Sequence, residues 1–66
     1  MKDFNRIKVV LAEKKISNKI LAEKLQRREE TVSRWCSNKQ QPSIEELYNI
    51  SVFLDVDIRE LLNNTK

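Results

Sequence analysis

The chain is predicted to adopt an all-α fold of five short helices, and three observations carry that expectation. Apolar residues recur at three- and four-residue spacing along nearly its whole length. Glycine is absent, which removes the tight turns that small β architectures rely on. Side chains suited to capping helices, Ser17, Ser43 and Asp57, stand directly before apolar-periodic runs. The 66 residues, 39% of them hydrophobic, hold enough apolar material for one thin core. A chain of this size buries only about 60% of its unfolded surface, so regular helices or self-association must support it. The whole chain, 1–66, reads as one domain with its core over about 4–62.

In chain order, Phe4, Ile7, Val10 and Leu11 define an amphipathic first helix from about Asp3 to Lys14, with Asp3 as cap or first-turn acid. Ser17 caps a second helix, Asn18 to Leu25, whose stripe is Leu21, Ala22 and Leu25. Two turns of helix do not persist alone, so packing must hold it. Gln26, Arg27 and Arg28 break the stripe, and a third helix begins near Glu29 with Val32 and Trp35 pointing inward. A loop runs from Ser37 to Pro42, where Asn38 is the best left-handed cap in a chain without glycine. Ser43 and Glu46 form a capping box for a fourth helix, Ile44 to Leu54, with Ile44, Leu47, Ile50, Ser51 and Leu54 as its stripe. Asp55 ends that helix. Asp57 and Glu60 form a second box before Ile58, Leu61 and Leu62, and the tail from Asn63 to Lys66 is expected to fray.

Composition excludes several functions. With no histidine, nearly all zinc sites and histidine-dependent catalysis are excluded. With no glycine there is no phosphate-cradling loop or dinucleotide fingerprint. Cys36 stands alone, so no internal disulfide forms and a reducing cytoplasm fits. No apolar run approaches the roughly 20 residues that span a bilayer, and charged residues near the start interrupt any signal-peptide core. An enzyme is not expected, nor is any cofactor, metal or small-molecule ligand. The net charge of +3 is unevenly spread. Between Lys14 and Gln41, eight Lys and Arg face three Glu, giving +5, whereas from Pro42 onward two cations face five carboxylates, giving −3. A basic face beside an acidic one suits an oriented approach to a polyanion; an ordinary solvated surface is the plainer alternative.

A short helix, a polar turn and a helix with a polar outer face make a helix-turn-helix pattern over about 17–37. Four segments go further: Ser17 to Leu25, Thr31 to Trp35, Asn38 to Ser43 and Asp55 to Leu62. Together, in this order and spacing, they resemble the lambda repressor/Cro-like family, also called the xenobiotic-response-element family. The resemblance covers roughly residues 6 to 62. It implies a compact five-helix DNA-binding domain of the lambda repressor-like type, whose third helix enters the major groove and whose members commonly bind as dimers. The chain departs from the family at positions where glycine is usual, with Lys15, Gln26 and Asn38 in its place. Arg27 replaces a usual apolar residue, Arg28 a usual Ser or Thr cap, Leu11 a frequent phosphate-binding Arg and Phe53 a frequent Ala.

By position, the resemblance places Glu29, Glu30, Ser33 and Arg34 on the base-reading face. Arg34 can bridge O6 and N7 of guanine, against the simpler alternative of an ion pair with Glu30 four residues earlier. One of Glu29 and Glu30 can accept from cytosine N4; alternatively both complement the helix dipole. Ser17, Asn18, Arg28, Thr31, Ser37, Asn38 and Lys39 are the candidate phosphate-binding residues, with Arg27, Lys19 and Lys24 as further clamps. Trp35 belongs to the core rather than to a stacking platform for single strands, and Cys36 is a small, partly buried residue.

The expected function is that of a sequence-specific transcriptional regulator of small bacterial or phage repressor type, cytoplasmic, with double-stranded DNA as partner and a homodimer as the binding form. Tyr48, Val52 and Phe53 exceed what the fourth helix needs for its core, and Val52, Phe53 and part of the last helix are expected to form a two-fold contact, unless Phe53 only fills core volume. The alternative is a protein-interaction module, such as an antitoxin, that keeps the scaffold and acts through a protein partner. Neutralising Lys39 and Arg34 together separates the two readings, because only DNA binding depends on both.

Overall fold

A computed structural model describes residues 3–65. Four α-helices follow one another: α1 (Ile7–Lys14), α2 (Asn18–Leu25), α3 (Glu29–Cys36) and α4 (Ile44–Leu54). The fifth element is a single 3₁₀ turn, Ile58–Leu61, rather than an α-helix. The core holds Ile7, Val10 and Leu11 from α1, Leu21 and Ala22 from α2, Val32 and Trp35 from α3, Leu47, Ile50 and Leu54 from α4, and Leu61. Trp35, 1% exposed, is the largest of these buried side chains and brings α3 into the centre of the molecule.

The caps follow local chemistry. Ser17 Oγ accepts from Ile20 N at the start of α2. Ser43 and Glu46 make the reciprocal box, with Glu46 N donating to Ser43 Oγ at 3.1 Å and Ser43 N to Glu46 Oε1 at 2.8 Å. Asp57 caps the last turn through Arg59 N at 2.8 Å and also holds the Arg59 guanidinium, which keeps its carboxyl below the usual carboxylate range. Glu60 does not complete a box with it, and instead its carboxylate lies 3.8 Å from Arg6.

Four non-glycine residues adopt the left-handed conformation: Lys15, Gln26, Asn38 and Asp55. Each closes a helix in the same way. The amide of the next residue reaches back five positions, from Ile16 to Leu11 O, Arg27 to Ala22 O, Lys39 to Arg34 O and Val56 to Ser51 O. This closure satisfies carbonyls that a helix end would otherwise orphan, and glycine is its usual residue. After α1 and α4 the next side chain, Ile16 or Val56, folds back against the core. The backbone penalty is thus offset by hydrogen bonds and burial made one residue later.

Three expectations need correction. The first helix begins at Ile7, not Asp3, and Phe4 is 58% exposed. Residues before Ile7 are drawn into an antiparallel bridge with the far end of the chain: Asn5 faces Leu62, Arg6 N donates to Leu61 O and Asn63 N to Phe4 O. The same bridge orders Asn63, against the expected fraying, and turns Leu62 outward; Lys66 lies outside the described residues. Finally, Ile44 is 75% exposed: as the first residue of α4 it sits past the edge of the buried arc of Leu47, Ile50, Ser51 and Leu54.

A buried cluster of amides joins these parts. Asn38 Oδ1 accepts from Phe4 N, Asn5 N and Gln41 Nε2, at 2.9, 3.0 and 3.1 Å, and Asn38 Nδ2 donates to Asn5 O at 3.1 Å. Asn5 Nδ2 donates to Trp35 O at 2.9 Å and Gln41 Oε1 at 2.8 Å, while Asn5 Oδ1 accepts from Ile7 N and so caps α1. Asn5 and Asn38 are 3% and 7% exposed, and no buried side-chain polar atom among the described residues lacks a partner.

These contacts generate two tests with opposite signs. Lys15→Gly and Gln26→Gly should each stabilise the domain by about 1 kcal/mol, seen as a rise in urea midpoint. Asn38→Gly relaxes the same backbone conformation yet should destabilise by about 1–3 kcal/mol, because it strands the amides of Phe4 and Asn5. Equal signs at all three positions would contradict the account.

Candidate nucleic-acid interface

Helix α3 has two opposed faces. Val32 and Trp35 are buried, while Glu29, Glu30, Ser33 and Arg34 are exposed. The last four line one shallow concavity on the outer surface, so the expected base-reading set is spatially contiguous. Glu29 and Glu30 occupy the first turn and Arg34 the last, the arrangement the helix dipole favours. Among the described residues no ion pair joins Glu30 to Arg34. The Arg34 backbone is firmly held: its carbonyl accepts from Lys39 N, Gln40 N and Ser37 Oγ.

A second cleft of about 210 Å³ lies beside the first and shares Ser33 with it. Lys8 of α1, Asn18 of α2, and Cys36 and Ser37 complete its lining. The α2 N-terminus therefore opens next to α3, and the first amides of a helix are natural donors to an anion. Ser17 accepts from Ile20 N and keeps its hydroxyl proton to give. Asn18 Oδ1 accepts from Cys36 Sγ at 3.5 Å, tying the two helices together. Burial pushes the Cys36 thiol up, against a smaller opposing pull from Lys8, so the group stays neutral near pH 7.

The remaining phosphate-binding candidates divide. Arg28, Lys39 and Ser37 are exposed around the ends of α3, and Thr31 is half-buried beside them. Arg28 stands at the N-cap position, where its side chain makes no capping bond. Asn38 stands apart from these: it is 7% exposed, its side chain is turned inward onto Phe4, Asn5 and Gln41, and its backbone amide donates to Trp35 O, so it positions the loop. Arg27 is exposed as well, and its guanidinium pairs with Glu46 at 3.1 Å, linking the turn after α2 to the start of α4. Three further residues shape this surface. Asn5 and Gln41 set the loop that leaves α3, and Lys8 enters the cleft at the α2 terminus. The contacts that join them across the chain, Asn5 to Gln41 and Lys8 beside Asn18 and Ser37, have no local signal.

Among the described residues no cluster of His, Cys, Asp and Glu could hold a metal, and no helix is long and apolar enough to cross a membrane.

Comparison with solved structures agrees with this geometry. A candidate DNA-binding protein from Bacteroides fragilis is 55% identical, with a TM-score of 0.90 over 91% of this chain and 97% of that one. The N-terminal DNA-binding domain of SinR from Bacillus subtilis is 38% identical, with a TM-score of 0.75 over 91% of this chain and 88% of that one. A search of curated proteins finds no match. The family model described as the Cro/C1-type HTH DNA-binding domain matches residues 6–66. This chain belongs to the Cro/C1-type helix-turn-helix family.

Proposed function

We propose that this protein is a cytoplasmic, sequence-specific transcriptional regulator that binds duplex DNA as a homodimer. The observation that carries the proposal is the outward face of α3, where Glu29, Glu30, Ser33 and Arg34 form one surface while Val32 and Trp35 anchor the helix from behind. A helix presented in this way fits the major groove, where each base pair displays a distinct donor and acceptor pattern. Arg34 reads guanine, and the carboxylates at Glu29 and Glu30 select cytosine and reject other bases by repulsion. Ser17, Asn18, Arg28, Thr31, Ser37 and Lys39 hold the backbone on either side and supply affinity without sequence information. Control of a promoter is then a matter of occupancy: the bound protein blocks or contacts the polymerase.

The direct experiment is selection of binding sites from a random duplex pool at about 50 and 200 mM salt. A motif enriched at both concentrations supports the proposal, and two-fold repeats with half-sites about 10 bp apart support the homodimer. Binding that disappears at the higher salt with no motif would leave only phosphate attraction and would favour a protein partner. On the selected site, Arg34→Ala should cost about 1–3 kcal/mol and relax preference at one base pair. Arg28→Gln and Lys39→Gln should instead weaken all sequences alike, each lowering the slope of log affinity against log salt by about 1. Both effects are read from binding isotherms across a salt series.

A further inference from the structure

We propose that Gln41 is a positioning residue for DNA binding: its side-chain amide clasps the loop that leaves α3 and holds Lys39 in place for a phosphate. The inference rests on the DNA-binding function proposed above and adds to it a residue that acts through another. Lys39 is exposed, and among the described residues no ion pair fixes it. The backbone beneath it therefore decides where its charge lies.

The two halves of this loop are held differently. Lys39 N and Gln40 N both donate to Arg34 O, which fastens the first half to the last turn of α3. The second half is fastened through side chains. Gln41 Nε2 donates to Asn38 Oδ1 at 3.1 Å and lies 3.5 Å from Asn38 O, and Gln41 Oε1 accepts from Asn5 Nδ2 at 2.8 Å. The bond back to Asn38 closes a ring that contains Lys39 and Gln40. The bond from Asn5, a residue 3% exposed, anchors that ring to the interior. Buried Pro42 follows, and it confines the Gln41 backbone to extended conformations. A primary amide suits this place because it donates to Asn38 and accepts from Asn5 at once; an ammonium only donates and an ionised carboxylate only accepts. Gln41 is itself exposed, so its side chain braces the loop and not the core. Without the clasp the ring opens and Lys39 samples more positions. The cost of ordering it then falls on the binding step.

The test uses the full chain and the selected duplex. A random-sequence duplex serves where no motif is enriched, because a phosphate contact is blind to sequence. Gln41→Ala leaves Asn5 Nδ2 on Trp35 O, and Asn38 Oδ1 on Phe4 N and Asn5 N, so its thermal melt should stay within about 8 °C of wild type. Its affinity should fall roughly 3- to 10-fold, the scale of one net hydrogen bond. The slope of log affinity against log salt should fall as well, by up to about 1. Gln41 has no charge, so a merely structural role would leave that slope unmoved. In a Lys39→Gln background Gln41→Ala should change affinity by less than about twofold, whereas in an Arg28→Gln background it should keep its full effect. Gln41→Met, which keeps the length of the side chain without its amide, should reproduce each result. A folded Gln41→Ala protein with wild-type affinity and slope would overturn the proposal, and so would equal effects in the two backgrounds. If wild type binds no duplex at all, the DNA-binding function fails and this role with it, an outcome read on wild type before any variant.

Discussion

The pairing of Asn5 with Asn38 is the contact on which the arrangement of this domain depends. Two side-chain amides, 33 residues apart, exchange hydrogen bonds with each other's neighbourhood, and among the described residues no buried side-chain polar atom lacks a partner. Asn38 closes α3 and Asn5 opens α1, so the pair fixes the end of one helix against the start of another. Through Trp35 O and Gln41 it also sets the loop that leads to α4, and through the bridge to Leu62 it ties in the chain's end. In a core this thin, a satisfied amide network specifies a register that apolar packing alone would leave loose. The outward face of α3 inherits its orientation from that register.

The absence of glycine has a consistent solution. Four helices end on left-handed residues with side chains, and each ending repeats the same backward hydrogen bond. The side chains at these endings take different tasks. Ile16 and Val56 pack on the core, Arg27 reaches Glu46, and Asn38 itself fills the interior while Lys39 stays in solvent. Asn38 alone gives its side chain a structural task in that conformation, so it is the one such position where glycine would be the poorer residue.

Much of this was legible in the sequence wherever the physics is local. Ser17, the Ser43–Glu46 box, the left-handed Asn38 and the buried Val32–Trp35 pair each arise from spacing within one helical turn. The contiguity of Glu29, Glu30, Ser33 and Arg34 has the same origin. Long-range partners were not legible. Phe4 fits the α1 stripe by period, but pairing with Asn63 pulls it into extended chain. Arg27 reads as a free cation until the fold brings Glu46 to it from 19 positions away. Asn38 reads as a polar loop residue until Asn5 arrives. Ile44 adjoins the α4 stripe, and periodicity does not say where the buried arc stops, hence its misplacement.

The Asn5–Asn38 pair belongs to the same cooperative unit as the core. Native-state hydrogen exchange of the Phe4 and Asn5 amides tests it most directly, since both donate to Asn38 Oδ1. These two amides, although close to the chain's start, should exchange only with global unfolding, as slowly as core amides such as Leu21. Exchange at the rate of a frayed terminus, with Leu21 still protected, would contradict it and would leave α3 held by hydrophobic packing alone.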